Sequence, residues 1–342
     1  IFMKLISFLV PAYNSEAYLD RCLLSLVGFG EDVEIIVVDD GSKDSTGEIA
    51  DRYALEHSNV QVIHQENGGH GAGINAGLKV ATGLYFKVID SDDWVDQESC
   101  AKLLELIKSF LKEEKVPDLI LTEFVFECLA DNTQYTMQYR KYFPMGRHFT
   151  WNEMKAMGPS KVLMMHALVY KRSILKECEL NLPHHRFYED NLYVYQPLFY
   201  VKSLYYFPVP LYRYLVGRGG QSVEKHTMAK RYMMQLDNMR ELVKSYQYKQ
   251  LKSLDKKHYK QMCHLLSNYS FLTLFFISQD YVKQKWKDYK AYVKEFKEFD
   301  KKLYHKIFYR TSFLITSILI PPLRRFAERV GYSIYYKMTH WG

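Results

Sequence analysis

Three carboxylates in four residues, Asp90-Ser91-Asp92-Asp93, follow an apolar run of this chain. Groups so close repel one another unless a cation or solvent compensates. A hard divalent ion such as Mn2+ or Mg2+ takes a few oxygen ligands and fills its other positions with phosphate oxygens and water. The cluster is therefore a candidate cation site, and His226 is a further candidate ligand. The competing reading is a solvated acidic loop. A second acidic pair, Asp39-Asp40, lies in VVDDGS, and Pro11-Ala12-Tyr13-Asn14 precedes it. A carboxylate so placed can accept the imide N–H of uracil and bond a ribose, while a Gly41-Ser42 turn exposes backbone N–H groups. A plain turn with an Asp cap is the alternative.

Three more stretches carry reactive types. Glu189-Asp190 in FYEDNLYVY reads as a helix N-cap or as a general base for a hydroxyl. Arg218-Gly219-Gly220-Gln221-Ser222 suits a lid over a diphosphate, or a surface turn. His166, in MMHALVYKRSIL, fits a buried core histidine as well as a site residue.

These residues need elements to hold them, and the first hundred positions alternate strand and helix. Leu5–Val10 reads as a buried strand. Leu19, Cys22, Leu23 and Leu26 then give the stripe of a helix packed on a sheet. EIIVV at 34–38 is apolar on both faces, as parallel central strands are. Ser45-x-x-Glu48 has the form of a capping box opening a helix to about Glu56. Val60–His64 is a third strand, 71–80 a Gly-rich helix start, and Leu84–Ile89 a fourth strand ending at the acids. Residues 102–112 read as a helix and Asp118–Glu127 as a further strand. Such alternation implies an α/β fold with a mostly parallel sheet and right-handed crossovers. Ligands bind such sheets beyond the carboxyl ends of the strands. Asn14, Asp39, Asp40 and Asp90–Asp93 all fall at such ends.

At 342 residues, with 48% hydrophobic and 25% charged positions, the chain suits a globular catalytic domain plus an appended module. The 29 Tyr and 20 Phe crowd the C-terminal half. They read as aromatic core, or as a sugar- or lipid-facing surface. Five cysteines without a CxxC pair fit neither a disulfide framework nor a zinc site, which points to a reducing cytoplasm. Leu5–Val10 is too short for a signal peptide, and Met3 reads as the native start, after a remnant Ile1-Phe2. The net charge of +7 resides in residues 301–342, with eight Lys/Arg against Glu328 alone. That balance argues against nucleic acid as the partner of the catalytic part.

PAYN, VVDDGSKDST, ENGGHGAGINAG, DSDD, YED and GRGGQS occur in this order over residues 3–225. Together they resemble the inverting family 2 glycosyltransferases with the GT-A fold, of the bacterial cell-surface polysaccharide type. The resemblance implies that Pro11, Ala12, Tyr13, Asn14, Asp39 and Asp40 bind the nucleotide. It implies donor or ribose contacts from Asp90, Ser91 and Asp92, a metal on Asp93 with Asp92 beside it, and a base in Asp190. Arg218, Gln221 and Ser222 would line the diphosphate lid. Ile74 stands where many members carry Arg, which shifts weight onto His70, Asn75 and the backbone of 69–73. The implied reaction passes a sugar from a nucleotide donor, UDP foremost, to a glycan or lipid-linked acceptor.

A dinucleotide oxidoreductase would need G-x-G-x-x-G after the first strand, where PAYNSEAY has no glycine. A P-loop kinase fails for want of GxxxxGK[ST]. A carbohydrate-binding protein that keeps the fold without catalysis remains the rival class. The division expected is a catalytic domain at 1–225, a helical Lys/Tyr-rich domain at 226–310 and a basic amphipathic tail at 311–342. Phe313–Leu323 is too short to span a bilayer, and Pro321-Pro322 breaks it. The flanking arginines with Tyr332, Tyr335, Tyr336 and Trp341 suit an interfacial helix on anionic lipid, peripheral to the inner face of the cell membrane. Packing on its own domain, or within a homo-oligomer, is the other reading.

Overall fold

The structure is a computed structural model that describes residues 4–158, 161–218, 225–278 and 282–310. The chain divides into two compact units, Ile1–Met154 with Met164–Val216, and Lys155–Leu163 with Gly217–Gly342. The first unit therefore closes at Val216, and a short internal segment belongs with the C-terminal helices.

Among the described residues the first unit has strands β1 (Ile6–Ala12), β2 (Val33–Asp39), β3 (Val60–His64), β4 (Tyr85–Val88) and β5 (Trp94–Val95). There follow β6 (Leu119–Cys128), β7 (Thr133–Met137), β8 (His148–Phe149), β9 (Leu168–Lys171) and β10 (Leu204–Val216). Its helices are α1 (Leu19–Leu24), α2 (Thr46–Glu56), α3 (His70–Val80), α4 (Gln97–Lys112), α5 (Arg172–Glu177) and α6 (Asp190–Leu198). One sheet runs β3-β2-β1-β4-β9-β6-β10-β5, with β7 added on β6 and β8 on β10.

The half made of β3, β2, β1 and β4 is parallel throughout. Ile35 to Val38 of β2 are fully buried, which accounts for a run without alternation. Beyond β4 the sheet is mixed. β9 lies antiparallel between β4 and β6, β10 is parallel to β6, and β5 is antiparallel to β10. Pro208 and Pro210 sit where the β10 register against β6 shifts, between Tyr206 and Tyr212. Proline lacks the ladder N–H and is tolerated in a sheet at such bulges.

The entry to α2 differs from expectation. Ser45 makes no side-chain cap bond. Instead Asp44 accepts from the Thr46 N–H and hydroxyl and from the Glu16 N–H, which ties the helix to the first connection.

The second unit is helical: α7 (Lys225–Lys230), α8 (Tyr232–Ser245), α9 (Tyr248–Ser253), α10 (Lys256–Ser278), α11 (Lys283–Phe299) and α12 (Lys301–Arg310). Tyr289, Tyr292, Phe296 and Phe308 are buried, and the Tyr304 ring stacks on Phe308 at 4.6 Å. In this unit the aromatic enrichment is core. Among the described residues no helix is long and apolar enough to cross a membrane. The tail at 311–342 lies outside them.

Candidate active site

The carboxyl ends of β1, β2 and β4 converge, and each motif begins where its strand stops. Asn14, in the left-handed region at φ 48°, accepts from the Lys43 N–H at 2.8 Å, and its own N–H reaches the Ser42 hydroxyl. This stitches the PAYN connection to the Asp39–Ser42 turn. Pro11 and Ala12 are buried, whereas Tyr13 is 49% exposed and presents its ring to solvent. Gly41 has φ +73°, and a Cβ there would meet the Asn67 nitrogen at 2.9 Å. Only glycine fits that approach.

Asp39 accepts from the Ser42 N–H and lies 3.0 Å from His64 Nδ1. Asp40, 2% exposed, accepts from the Gly68 and Gly69 N–H groups and from Gln65. The Asp40 carboxylate thus holds the loop that opens α3. That loop must admit another backbone. A Cβ on Gly71 would stand 2.6 Å from the Pro183 carbonyl, and one on Gly69 2.9 Å from the His185 nitrogen. Asn75 commits both ends of its amide to the Leu182 backbone, at 2.8 Å each. These contacts fix segment 182–189, which delivers Glu189 and Asp190. Tyr188 has φ 67°, an outlying value for a bulky side chain, immediately before them.

Asp190 is the first residue of α6 and only part-buried, with Glu189 at the N-cap position and no side-chain cap bond. Burial, the neighbouring Glu189 and the more distant Asp90 push its carboxyl up to about 7. A carboxylate poised near neutrality is matched to accepting a hydroxyl proton.

The acidic loop follows β4. His70, at the start of α3, bridges it to α6: Nε2 is 2.9 Å from Asp90 Oδ1 and Nδ1 is 2.7 Å from Glu189 Oε1. Burial works against a charged imidazole here, but the two carboxylates outweigh it and raise the His70 pKa well above the usual value. Ser91 shares a 2.7 Å hydrogen bond with Ser15 of the first connection. Arg21 donates to the Asp92 carbonyl and lies over the Trp94 ring. Asp93 is fully buried and accepts from the Tyr212 hydroxyl at 2.6 Å and the Leu215 N–H at 2.8 Å. Burial and the charges of Asp92 and Asp90 raise its pKa well above the carboxylate range.

Among the described residues, the donor atoms of Asp90, Asp93 and His166 all come within 4.8 Å of one another. His166 is 4% exposed and its Nδ1 has no hydrogen-bond partner. Burial lowers its pKa to about 4, so the ring is neutral and its lone pair free. Two carboxylates and a neutral imidazole fit a divalent cation. Lys87, buried in β4, donates to the His166 carbonyl at 2.7 Å and fixes that residue beneath the acids. Desolvation lowers the Lys87 pKa to about 7.

Residues 7–176 match the family described as Glycosyl transferase family 2. The chain carries a family 2 glycosyltransferase domain. EpsH of Bacillus subtilis is 30% identical over 223 residues, covering 62% of this chain and 60% of EpsH. GlyG of Streptococcus pneumoniae, a glycosyltransferase, is 36% identical over 134 residues, or 39% of this chain and 43% of GlyG. The chain therefore spans less than two thirds of these relatives. S. aureus TarS 1-349, solved in complex with UDP-GlcNAc, superimposes with a TM-score of 0.65 at 20% identity, covering 98% of this chain and 90% of TarS 1-349. The mannosyltransferase PcManGT from Pyrobaculum calidifontis, in complex with GDP-Man and Mn2+, gives 0.53 at 13% identity, covering 99% and 88%. These likenesses show the shared GT-A-like fold with its helical C-terminal region.

The structure brings together Asn14, Asp39, Asp40, His70, Asn75, Asp90–Asp93 and Asp190 around the β1, β2 and β4 ends and the start of α6. Arg218 and His226 belong to the second unit, where His226 is exposed on α7. Gln221 and Ser222 lie outside the described residues. Sequence reading did not single out Arg21 or Lys87 for the site. Their signal is tertiary, because each reaches the acidic loop from an element whose pattern reads as core or surface.

Proposed function

We propose that this protein transfers a sugar, with inversion, from a nucleotide donor to a hydroxyl of a glycan or lipid-linked acceptor. One observation carries the proposal: a part-buried Asp190, its pKa near 7, is held by the Glu189–His70–Asp90 bridge beside the acidic loop. A candidate base and a candidate donor-side charge cluster are thereby joined through His70.

Tyr13 offers an exposed ring to a nucleobase, and Asp39 and Asp40 define the floor beneath a nucleoside. UDP is the donor nucleotide we favour, as in the TarS complex, although PcManGT takes GDP-Man on the same fold. Asp92 and Asp90 face the donor, and Asp93 with Asp90 would hold Mn2+ or Mg2+. When bound, such a cation offsets the charge that develops on the departing diphosphate. Asp190 takes the acceptor proton while the hydroxyl attacks the anomeric carbon from the face opposite the leaving group. The proton resides on an Asp190 carboxylate oxygen; Oδ1 is already steadied by the Asn191 N–H at 3.0 Å. Arg218, Gln221 and Ser222 are proposed to close over the diphosphate. Holding the reactants in line supplies much of the rate.

Release of UDP or GDP from a panel of nucleotide sugars with Mn2+ tests the proposal. Turnover of one donor, abolished in Asp93→Ala, is the expected result. Binding of sugars without turnover of any donor would instead mark a carbohydrate-binding protein. We also propose that residues 311–342 attach the enzyme to anionic membrane at its cytoplasmic face. Full-length protein should sediment with anionic vesicles and lose that behaviour on deletion of 311–342 while keeping nucleotide release.

A further inference from the structure

We propose that His166 supplies a nitrogen ligand, beside Asp90 and Asp93, to the divalent cation of this site and so biases it toward Mn2+ over Mg2+. The inference rests on the cation reading above and deepens it.

Three features support it. His166 Nδ1 is buried with no hydrogen-bond partner, which is costly for a polar atom unless something else meets it. The ring cannot easily turn away. It stacks on Tyr214 at 4.3 Å, meets Tyr212 edge-on at 4.8 Å, and has Phe124 at 5.2 Å. Its backbone is held by Lys87 Nζ. The carboxylates retain capacity as well. Asp90 Oδ1 meets His70, and each Asp93 oxygen accepts one bond, from the Tyr212 hydroxyl and the Leu215 N–H.

The geometry is close to what a cation needs. Oxygen ligands about 2.1 Å from a small divalent ion stand up to about 4.2 Å apart across it. Three ligands spread evenly round one ion at that radius stand about 3.6 Å apart, so donor atoms within 4.8 Å of one another need a closure of about 1.2 Å or less. Imidazole favours transition metals, whereas Mg2+ prefers oxygen and water. A nitrogen in the set therefore discriminates between the two ions.

The test uses the full chain and Mn2+ alone, without substrate. Pulsed electron paramagnetic resonance of the Mn2+ complex should show nitrogen modulation that changes on 15N-histidine labelling. It should vanish in His166→Phe, which keeps an aromatic ring in the stack, and persist in His226→Phe. Even outer partners of metal ligands are worth about 10–100-fold in affinity, so loss of a direct ligand in His166→Phe should weaken Mn2+ by about tenfold or more and leave Mg2+ nearly unchanged. Should His166→Phe fail to melt cooperatively, His166→Gln replaces it. Bound Mn2+ without histidine modulation in the wild type overturns the inference, as does modulation that survives at position 166. If the wild type binds no Mn2+ at all, the cation reading falls with it.

Discussion

Glu189 Oε1 and His70 Nδ1 are bound at 2.7 Å, joining the N-terminus of α6 to that of α3 across 119 positions of chain. Because the other nitrogen of the same ring meets Asp90, the segment that carries the proposed base Asp190 is tied to the acidic loop by one bridge. The bridge keeps Glu189 turned to His70, which leaves Asp190 as the carboxylate free to act.

Asp190→Asn should lower the transfer rate by about 10²–10⁴-fold, the usual share of a general base. Donor affinity, read by calorimetry with UDP, should hardly change. In the wild type the rate should rise as pH passes through about 7, because only the ionised carboxylate accepts a proton. The stability sign runs the other way. A carboxyl raised in the folded state binds its proton more tightly there, so folding weakens between the ordinary aspartate pKa and about 7, then levels off. Melting curves of Asp190→Asn should lack that decline. A flat wild-type rate profile across this window would exclude Asp190 as the base.

His70→Gln should destabilise the chain by about 1–3 kcal/mol, since it strands a buried Glu189 oxygen. The His70 pKa is raised on folding by its two carboxylates. Its contribution is therefore complete below the ordinary histidine pKa and is lost as pH climbs through the raised value. The melting difference between wild type and His70→Gln should be largest in mildly acidic buffer and shrink in alkaline buffer. A difference that grows with pH would contradict a charged bridge.

Gly71→Ala places a Cβ 2.6 Å from the Pro183 carbonyl and 3.0 Å from the Leu182 Cβ. Overpacking of this kind costs about 1–3 kcal/mol. Because segment 182–189 carries the base, turnover should fall further than nucleotide binding. Steady-state kinetics beside a UDP titration would show it. Equal losses in both would mean that the displaced loop serves the donor alone.

How far the sequence could be read depended on burial pattern. β1, β2 and β4 were legible because both faces are buried, giving short apolar runs that end at Asn14, Asp39 and Asp90. β10 was not, since Pro208 and Pro210 interrupt it and a bulge absorbs them. β9 is only four residues long and sits antiparallel between β4 and β6, an insertion that strand–helix alternation does not announce. Asn75 was read toward the donor, yet its amide is taken by the Leu182 backbone, a partner 107 positions away. His166 could be read two ways for the same reason: its surroundings come from Phe124, Tyr212 and Tyr214 on other strands.

Tyr212→Phe tests whether the acidic loop depends on β10. The Tyr212 hydroxyl donates to Asp93 Oδ2 at 2.6 Å and accepts from the Asp90 N–H at 3.1 Å, so one oxygen serves both ends of the acidic loop. Its removal leaves a fully buried Asp93 with only the Leu215 N–H. An unsatisfied buried group of this kind costs about 1–3 kcal/mol, and the melting temperature should drop accordingly. The ring itself, packed edge-on against His166, stays in place, so the fold should survive. Loosening Asp90 and Asp93 together should raise the Mn2+ concentration needed for half-maximal turnover while the pH dependence assigned to Asp190 is retained. A variant with unchanged Mn2+ requirement would show that the loop keeps its shape without β10.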